Sequence, residues 1–433
     1  MFAVLVVGLL GVSCAGGVAD ETASGDEPTS STQPPVPPSS ARCVDGEGAC
    51  STGVPGLQLT VTGPPSAPEP VGPGADHPLA TVDRDAGISV RLRDGTLLWL
   101  FGDTAARDQD GQIDYFVIGT AALANAENPT KTLDHVLADQ GRPVAFSTPT
   151  EEFGPCPEAD QRPGMWPSAA VVEPVGALDR VVVWSTNVCL GPGPTLALRG
   201  TSLAEWWYDP ASADPAAPVQ ATMLDQMLWP DGIIGAVSAG EDGTVHVYRC
   251  DLDGSGGVQS TYGPCWVSRT DLATAADLDS YRDWDGEGFG APFGDGVPME
   301  MPAGRQVSAN WPFPPGGFSV VQDPEVGAYV MVYSPWPGAT DMVEVRAAFR
   351  PEGPWSEPVT VELPGCDDTI GIREFRCYAA TAQPVFSGPG ALGVGFYDSL
   401  VVPAPRRGAY MVTRVPIRVD ASPGQPAGED AGR

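Results

Sequence analysis

Lysine is almost missing. Lys131 is the only one in 433 residues, and arginine supplies the rest of the 23 basic side chains against 55 acidic ones. The formal net charge of −32 gives a surface that repels phosphate backbones and anionic headgroups, which argues against nucleic acid and charged bilayers as partners. Histidine is scarce too: His77, His135 and His246. A three-histidine zinc site would need all of them, and their spacing fits no zinc motif. No Cys-x-x-Cys pair occurs, which speaks against redox or zinc use. No Gly-x-Ser-x-Gly elbow occurs either, so a serine–histidine triad has no support. Long amphipathic helical patterns are also lacking beyond the stretch around Asp271–Tyr281.

What the chain does have begins with an apolar run, Phe2–Val12, followed by Ser13 and Cys14. The run is about as long as a signal-peptide core and too short to span a bilayer. Residues 1–14 resemble a bacterial lipoprotein signal, in which small residues precede a cysteine that is acylated and becomes the mature N-terminus. The alternative is a plain secretory signal with Cys14 inside it. Either way the protein is expected outside the cytoplasm, lipid-anchored to the bacterial membrane or secreted, and touching membrane only through the lipid. Setting Cys14 aside leaves an even set of cysteines: Cys43, Cys50, Cys156, Cys189, Cys250, Cys265, Cys366 and Cys377. An even set in an exported protein reads as disulfides. Pairing sequence neighbours is the simplest connectivity: 43–50, 156–189, 250–265 and 366–377.

Residues 15–75 are rich in Pro, Ser, Thr, Gly and Asp and read as a disordered spacer. Residues 421–433 read as a similar tail. Between them, over 76–420, short runs of Val, Ile, Tyr, Phe and Trp alternate with Gly, Pro and Asp turns, an all-β pattern. The runs recur as hairpins: Ile88–Arg93 with Thr96–Phe101, Ala169–Glu173 with Arg180–Ser185, Ile234–Ala239 with Thr244–Arg249, Phe318–Gln322 with Tyr329–Tyr333, and Thr381–Phe386 with Leu392–Tyr397. A third strand follows most of them. Five such units predict a five-bladed β-propeller, with a β-sandwich or two small β domains as the alternative.

The most informative segment runs from Val82 to Thr104. A two-residue Asp94-Gly95 loop would pair Val90 with Trp99 and Ile88 with Phe101. Continued, that register sets Ala86 against Asp103 and Asp85 against Thr104. Both aspartates then lie at one end of the hairpin within roughly 5–8 Å, though on opposite faces unless Gly87 and Gly102 allow irregular backbone. Two carboxyl groups converging on a pocket can act as general acid and base, or acid and nucleophile, in glycoside cleavage. On composition alone the reading as turn-capping aspartates prevails.

The run Asp85-x-Gly87, Asp94-Gly95, Trp99-Leu-Phe-Gly-Asp103-Thr104 resembles the opening of the family known as domain of unknown function 4185. Pro351-Glu-Gly-Pro-Trp355-Ser and the stretch from Tyr378 to Tyr397 are similar as well. The resemblance covers roughly Asp76–Val419 and departs from the family in Gln383-Pro384, where His-Pro is expected. It implies a five-bladed propeller with endo-D-arabinanase activity and assigns catalysis to Asp85 and Asp103.

Other candidates for substrate contact are Trp166, Trp311 and Tyr378, with Asp231 and Glu374 as candidate third carboxylates. Trp229, in Trp229-Pro230-Asp231, stands with Trp166 and Trp311 as a loop tryptophan expected to stack on sugar, while Trp207, Trp336 and Trp355 are further aromatics that could stack or pack between blades. Three acidic loops (Asp108/Asp110/Asp114, Asp251/Asp253, Asp283/Asp285/Glu287) carry fragments of calcium spacing without completing a loop and read as solvated turns. No metal site or cofactor is expected, calcium being the one left open. The expected function is an extracytoplasmic glycoside hydrolase acting, as a monomer, on cell-wall or extracellular polysaccharide. The alternative is a non-catalytic propeller that holds glycan or protein.

Overall fold

The structure, a computed structural model, describes residues 57–421 except 78, 80–81, 108–112, 135–141, 192–195, 213–218, 231, 241–242, 253–261, 300–317, 335–341, 367–376 and 404–405. Cys14, Cys43, Cys50, Asp231, Trp311, Trp336 and Glu374 lie outside the described residues. So do residues 1–56, with the expected signal and most of the expected spacer.

The described residues form β-strands and short 3₁₀ turns, with no α-helix among them. Two strands come first, β1 (Leu57–Val61) and β2 (Glu69–Pro73). The first blade comprises β3 (Val82–Arg84), β4 (Ile88–Arg91), β5 (Leu97–Arg107), β6 (Ile113–Ala124) and β7 (Lys131–Leu133). The second is β8 (Arg162–Val175), β9 (Leu178–Leu190), β10 (Leu196–Tyr208) and β11 (Thr222–Trp229). The third is β12 (Gly232–Ala239), β13 (Thr244–Leu252), β14 (Tyr262–Asp271), β15 (Arg282–Trp284) and β16 (Phe289–Pro292). The fourth is β17 (Phe318–Asp323), β18 (Ala328–Tyr333), β19 (Met342–Ala348) and β20 (Val359–Glu362). The fifth is β21 (Cys377–Ala382), β22 (Ala391–Pro403) and β23 (Arg406–Ala421). Blades two to four are separate antiparallel sheets, while the fifth and first join through β2, which pairs antiparallel with β23 and parallel with β7. The chain is thus the five-bladed β-propeller expected.

Each seam between blades holds its own apolar cluster. Leu98 and Leu100 of β5 meet Val181 and Val183 of β9. Trp184 meets Val245 and Val247 at the next seam, and Tyr248 meets Met331 and Trp355 at the one after. Val330 and Val332 meet Val394 and Phe396. Trp99 and Phe101 of β5 close the ring against Tyr397 and Tyr410. A blade in the ring is covered on both faces, so its middle strands are continuously apolar rather than alternating. Leu97 through Phe101 are all fully buried.

Three expectations change. The spacer was expected to run to residue 75, but Leu57–Val61 pairs along the whole end of β23, Leu57 opposite Ala421 and Val61 opposite Ile417. Leu57 and Leu59 insert into the core between the fourth and fifth blades, an alternation legible in Leu-Gln-Leu-Thr-Val. The stretch Asp271–Tyr281 holds two 3₁₀ turns, Leu272–Thr274 and Leu278–Ser280, instead of a helix. β21 stops at Ala382 because Pro384 opens a 3₁₀ turn and has no N–H for a sheet ladder.

Disulfides join Cys156 to Cys189 and Cys366 to Cys377. Cys265 is also disulfide-bonded and lies opposite Cys250 in the β13–β14 ladder. Such bonds suit an oxidising, extracytoplasmic compartment. No helix among the described residues is long and apolar enough to cross a membrane.

Candidate active site

The first hairpin turns through three residues, not two. Leu92 N–H donates to the Thr96 carbonyl (2.8 Å) and Gly95 N–H to the Leu92 carbonyl (2.9 Å). Gly95 takes the left-handed conformation, φ 89°, and the Asp94 carboxylate accepts the Thr96 N–H at 2.9 Å. A three-residue loop with a left-handed glycine at its end shifts the register by one relative to a two-residue loop. Val90 therefore faces Leu98 and Ile88 faces Leu100. At the far end Arg84 faces Thr104, and the same offset sets Asp85 directly opposite Asp103. The Asp85 N–H donates to the Asp103 carbonyl at 3.2 Å. The Asp85 carbonyl accepts the Gly102 N–H at 3.0 Å, so Asp85 stands against both Gly102 and Asp103, and the backbone is irregular where the two aspartates meet.

The corner between β3 and β4 shapes the pair. Ala86 has φ 48°, a conformation that costs a non-glycine residue energy unless its surroundings hold it. The Asp85 carboxylate folds back so that Oδ1 accepts the Asp103 N–H at 2.8 Å. Gly102 makes room for this, since a Cβ there would sit 2.9 Å from both that Oδ1 and Ala86 Cβ. Oδ2 of Asp85 accepts the Tyr378 hydroxyl at 2.8 Å. Oδ1 of Asp103 accepts the Trp166 indole N–H at 2.7 Å. The site thus draws on the first, second and fifth blades. Two residues behind Asp85, the buried Asp83 accepts the Tyr397 hydroxyl (2.6 Å) and the Gly408 N–H (3.2 Å). The Tyr378 and Tyr397 rings meet edge to face at 4.9 Å.

The surroundings separate the two carboxyls electrostatically. Burial pushes Asp85 up to about 6, the charge of Asp83 adding to the rise and the bonds from Asp103 N–H and Tyr378 opposing it. Asp103 is held well above the ordinary carboxylate range, first by burial and then by the Asp85 charge, with Trp166 and Arg162 opposing. Two like charges this close do not both ionise readily. With two donors on its oxygens against one on those of Asp103, Asp85 is the first of the pair to ionise.

Trp166 and Tyr378, expected as substrate contacts, thus both hydrogen-bond the aspartates. Trp229 does not stand free: it is 8% exposed and packs between blades. The Arg249 guanidinium lies 5.5 Å from its ring. Trp355 is fully buried in the core, and Trp207 is exposed. Asp283 is no solvated turn. It is fully buried, paired with Arg249, and accepts from Ser268 and from the Gly294 and Gly296 N–H groups. No cluster able to hold a metal ion occurs among the described residues. Asp83 and Tyr397 were missed as neighbours of the site. The spacing of Asp83 and Asp85, two residues apart in a strand and so on one side, was the available signal.

A channel of about 590 Å³ runs along the axis, lined by all five innermost strands through residues such as Ser89, Ser168, Ser238, Ser319 and Ala382. Neither aspartate lines it. The pair sits upstream of β4, toward the opposite end of the propeller from the channel-lining Arg91 and Glu325.

No protein-family model matches the chain, and neither does any curated protein. Solved structures do resemble it. A candidate hydrolase from Bacteroides ovatus shares 16% identity over 76% of this chain and 85% of its own, with a TM-score of 0.53. The GH43_1 enzyme from Xanthomonas citri, complexed with xylotriose, shares 14% identity over 78% of this chain and 88% of its own, with a TM-score of 0.42. An α-L-arabinofuranosidase from Podospora anserina, in complex with cellotriose, shares 14% identity over 84% of this chain and 99% of its own, with a TM-score of 0.37. The first of these is a likeness of fold.

Proposed function

We propose that the protein is a glycoside hydrolase in which Asp103 acts as general acid and Asp85 as base or nucleophile. One observation carries the reading: two carboxyls brought together across adjacent strands, Oδ1 of Asp85 on the Asp103 N–H, both raised by burial and with more donors on Asp85 than on Asp103. Glycoside cleavage needs a protonated carboxyl at the leaving oxygen and an ionised one at or near the anomeric carbon. The separation of the two carboxyl groups during the reaction decides between retention, at about 5–5.5 Å, and inversion, at about 6.5–9.5 Å. Tyr378 fixes the nucleophile's orientation, and Trp166 holds Asp103 through its indole N–H while its half-buried ring remains available to stack on sugar. Asp231, Trp311 and Glu374 are further substrate contacts in this reading. The resemblance of the first hairpin to endo-D-arabinanases makes an arabinan-like polysaccharide the substrate to try first. In this reading the chain works outside the cytoplasm, anchored through a lipid on Cys14 by its Pro/Ser-rich spacer or else secreted, where it meets cell-wall or extracellular glycan.

One contact favours the second reading, a propeller that binds glycan without turnover. Asp85 Oδ1 already accepts a backbone N–H. A carboxylate has about four lone-pair positions, so that bond leaves room for substrate. The deciding experiment is incubation with arabinan and a panel of other polysaccharides, using wild type and Asp103→Asn. Sugar released by wild type and lost in the variant is the expected result. Release by both alike, or by neither, overturns the enzymatic reading.

A further inference from the structure

We propose that Gln383 is the positioning residue of this site: it fastens the Ala86–Gly87 corner, and through it the Asp85 carboxylate, across the seam that closes the propeller. The inference deepens the proposed hydrolase reading and rests on it for its kinetic part only. Gln383 is fully buried and sits between β21 and the 3₁₀ turn of the fifth blade. Its backbone is anchored there, its N–H donating to the Gly393 carbonyl at 2.8 Å and its carbonyl accepting the Phe386 N–H at 2.9 Å. Its side chain crosses to the first blade. Oε1 accepts the Ser89 hydroxyl at 2.6 Å. Nε2 lies 2.9 Å from the Gly87 carbonyl, 2.9 Å from Thr381 Oγ1 and 3.1 Å from the Tyr410 hydroxyl. An amide has two hydrogens to offer, so the two shorter contacts are the made bonds.

The Gly87 carbonyl is held a second time, by the Thr381 hydroxyl at 2.9 Å. Gly87 itself lies against the Tyr410 ring, where a Cβ would come within 2.6 Å. Gly87 and Ser89 are therefore pinned from the fifth blade by one side chain, on either side of Ile88. The left-handed Ala86 is the only residue between that pinned segment and Asp85. A conformation of this kind persists when its neighbours over-determine it, and Gln383 supplies the fixed point. The histidine that the family resemblance leads one to expect could offer one donor and one acceptor at most while neutral, and would carry a buried charge at low pH. Glutamine gives two donors and an acceptor with no charge at any pH.

The test is site-resolved and independent of turnover. The Asp103 amide, which donates to Asp85 Oδ1, reports by hydrogen exchange whether that carboxylate is in place. In Gln383→Met, of similar size but without the amide, we expect the Asp103 and Gly102 amides to exchange at least about tenfold faster, with Val247 in the third blade unchanged. The Asp85 carboxyl, followed by ¹³C NMR, should titrate closer to the ordinary carboxylate value as the corner loosens and water reaches it. Should Gln383→Met fail to fold, Ser89→Ala removes the partner of Oε1 alone and is expected to give the same pattern in smaller measure. On a hydrolysed glycan, kcat should fall about tenfold to a hundredfold at little-changed KM, and Gln383→His should restore only part of it. Protection and titration identical to wild type in both variants, with only the melting temperature lowered, would overturn the proposal. A wild type that hydrolyses nothing would sink the hydrolase reading and leave the exchange result standing.

Discussion

Two carboxyl groups side by side share a problem of charge, and the residues around them decide which one solves it by keeping a proton. Asp85 has two hydrogen-bond donors aimed at its oxygens, and Asp103 has one. Donors favour the ionised form, so Asp85 gives up its proton first, near pH 6. If Asp85 is the base or nucleophile, hydrolysis should therefore rise through a limb near pH 6 and fall again where Asp103 finally ionises. Tyr378→Phe removes a bond that lowers the Asp85 value, so the acid limb should move to higher pH. A pH series of kcat/KM for the two proteins checks this, and an unmoved limb would separate Tyr378 from the chemistry. The stability effect follows with its own sign. A carboxyl raised from 3.8 to about 6 in the fold binds its proton more tightly folded than unfolded. The stabilisation is full below the unfolded value and is lost as pH rises toward about 6. Asp85→Asn should therefore abolish activity yet gain about 1–2 kcal/mol on wild type between pH 4 and pH 7, read from urea unfolding at the two pH values.

At the scale of elements, the hairpin shows how much of the site could be read from sequence. The Asp94-Gly95 turn, the strands beside it and the proximity of the two aspartates were all legible. The register was not, and the cause is specific. Leu97 to Phe101 is apolar at every position because the blade is covered on both faces, so either register places hydrophobic side chains inward. What fixes it is the Asp94 carboxylate on the Thr96 N–H and the left-handed Gly95, a loop choice that Asp-Gly alone does not decide. Contacts from distant elements were less legible still. Tyr378 stood out by resemblance, but that its hydroxyl reaches Asp85 depends on the fifth blade meeting the first. The strand β8 carries Trp166, and the segment leading into it is bonded at Cys156 to Cys189 of β9. With a sequence separation of 33, that bond constrains the unfolded chain by about 3–4 kcal/mol. Cys156→Ser should lower the unfolding free energy by that order. It should also raise KM more than it lowers kcat, because it frees the wall beside Asp103 and leaves Asp85 in place. Equal losses in both constants would mean that the bond serves the chemistry itself.

At the scale of the molecule, a propeller is a ring, and the free energy of a ring depends on its closing seam. Here that seam lies between the fifth and first blades, the two that carry Tyr378 and the aspartates. Trp99 and Phe101 pack there against Tyr397 and Tyr410, and Gln383 crosses it. The strand β2 clamps it from outside by bridging β23 and β7, while β1 runs along the end of β23 and packs at the neighbouring seam with the fourth blade. A segment with the composition of a spacer thus ends in the clasp of the fold. Truncations separate the two roles. A chain beginning at residue 57 should keep the melting temperature and activity of the full chain. One beginning at residue 75 loses both strands and the Leu57 and Leu59 anchors between the fourth and fifth blades. Removing two buried leucines alone costs about 4–10 kcal/mol, of the order of a domain's whole stability. The shorter chain should therefore be unfolded, or melt more than about 10 °C lower, as circular dichroism would show. Melting temperatures that agree between the two truncations would place the closure of the ring in the seam's aromatic cluster alone.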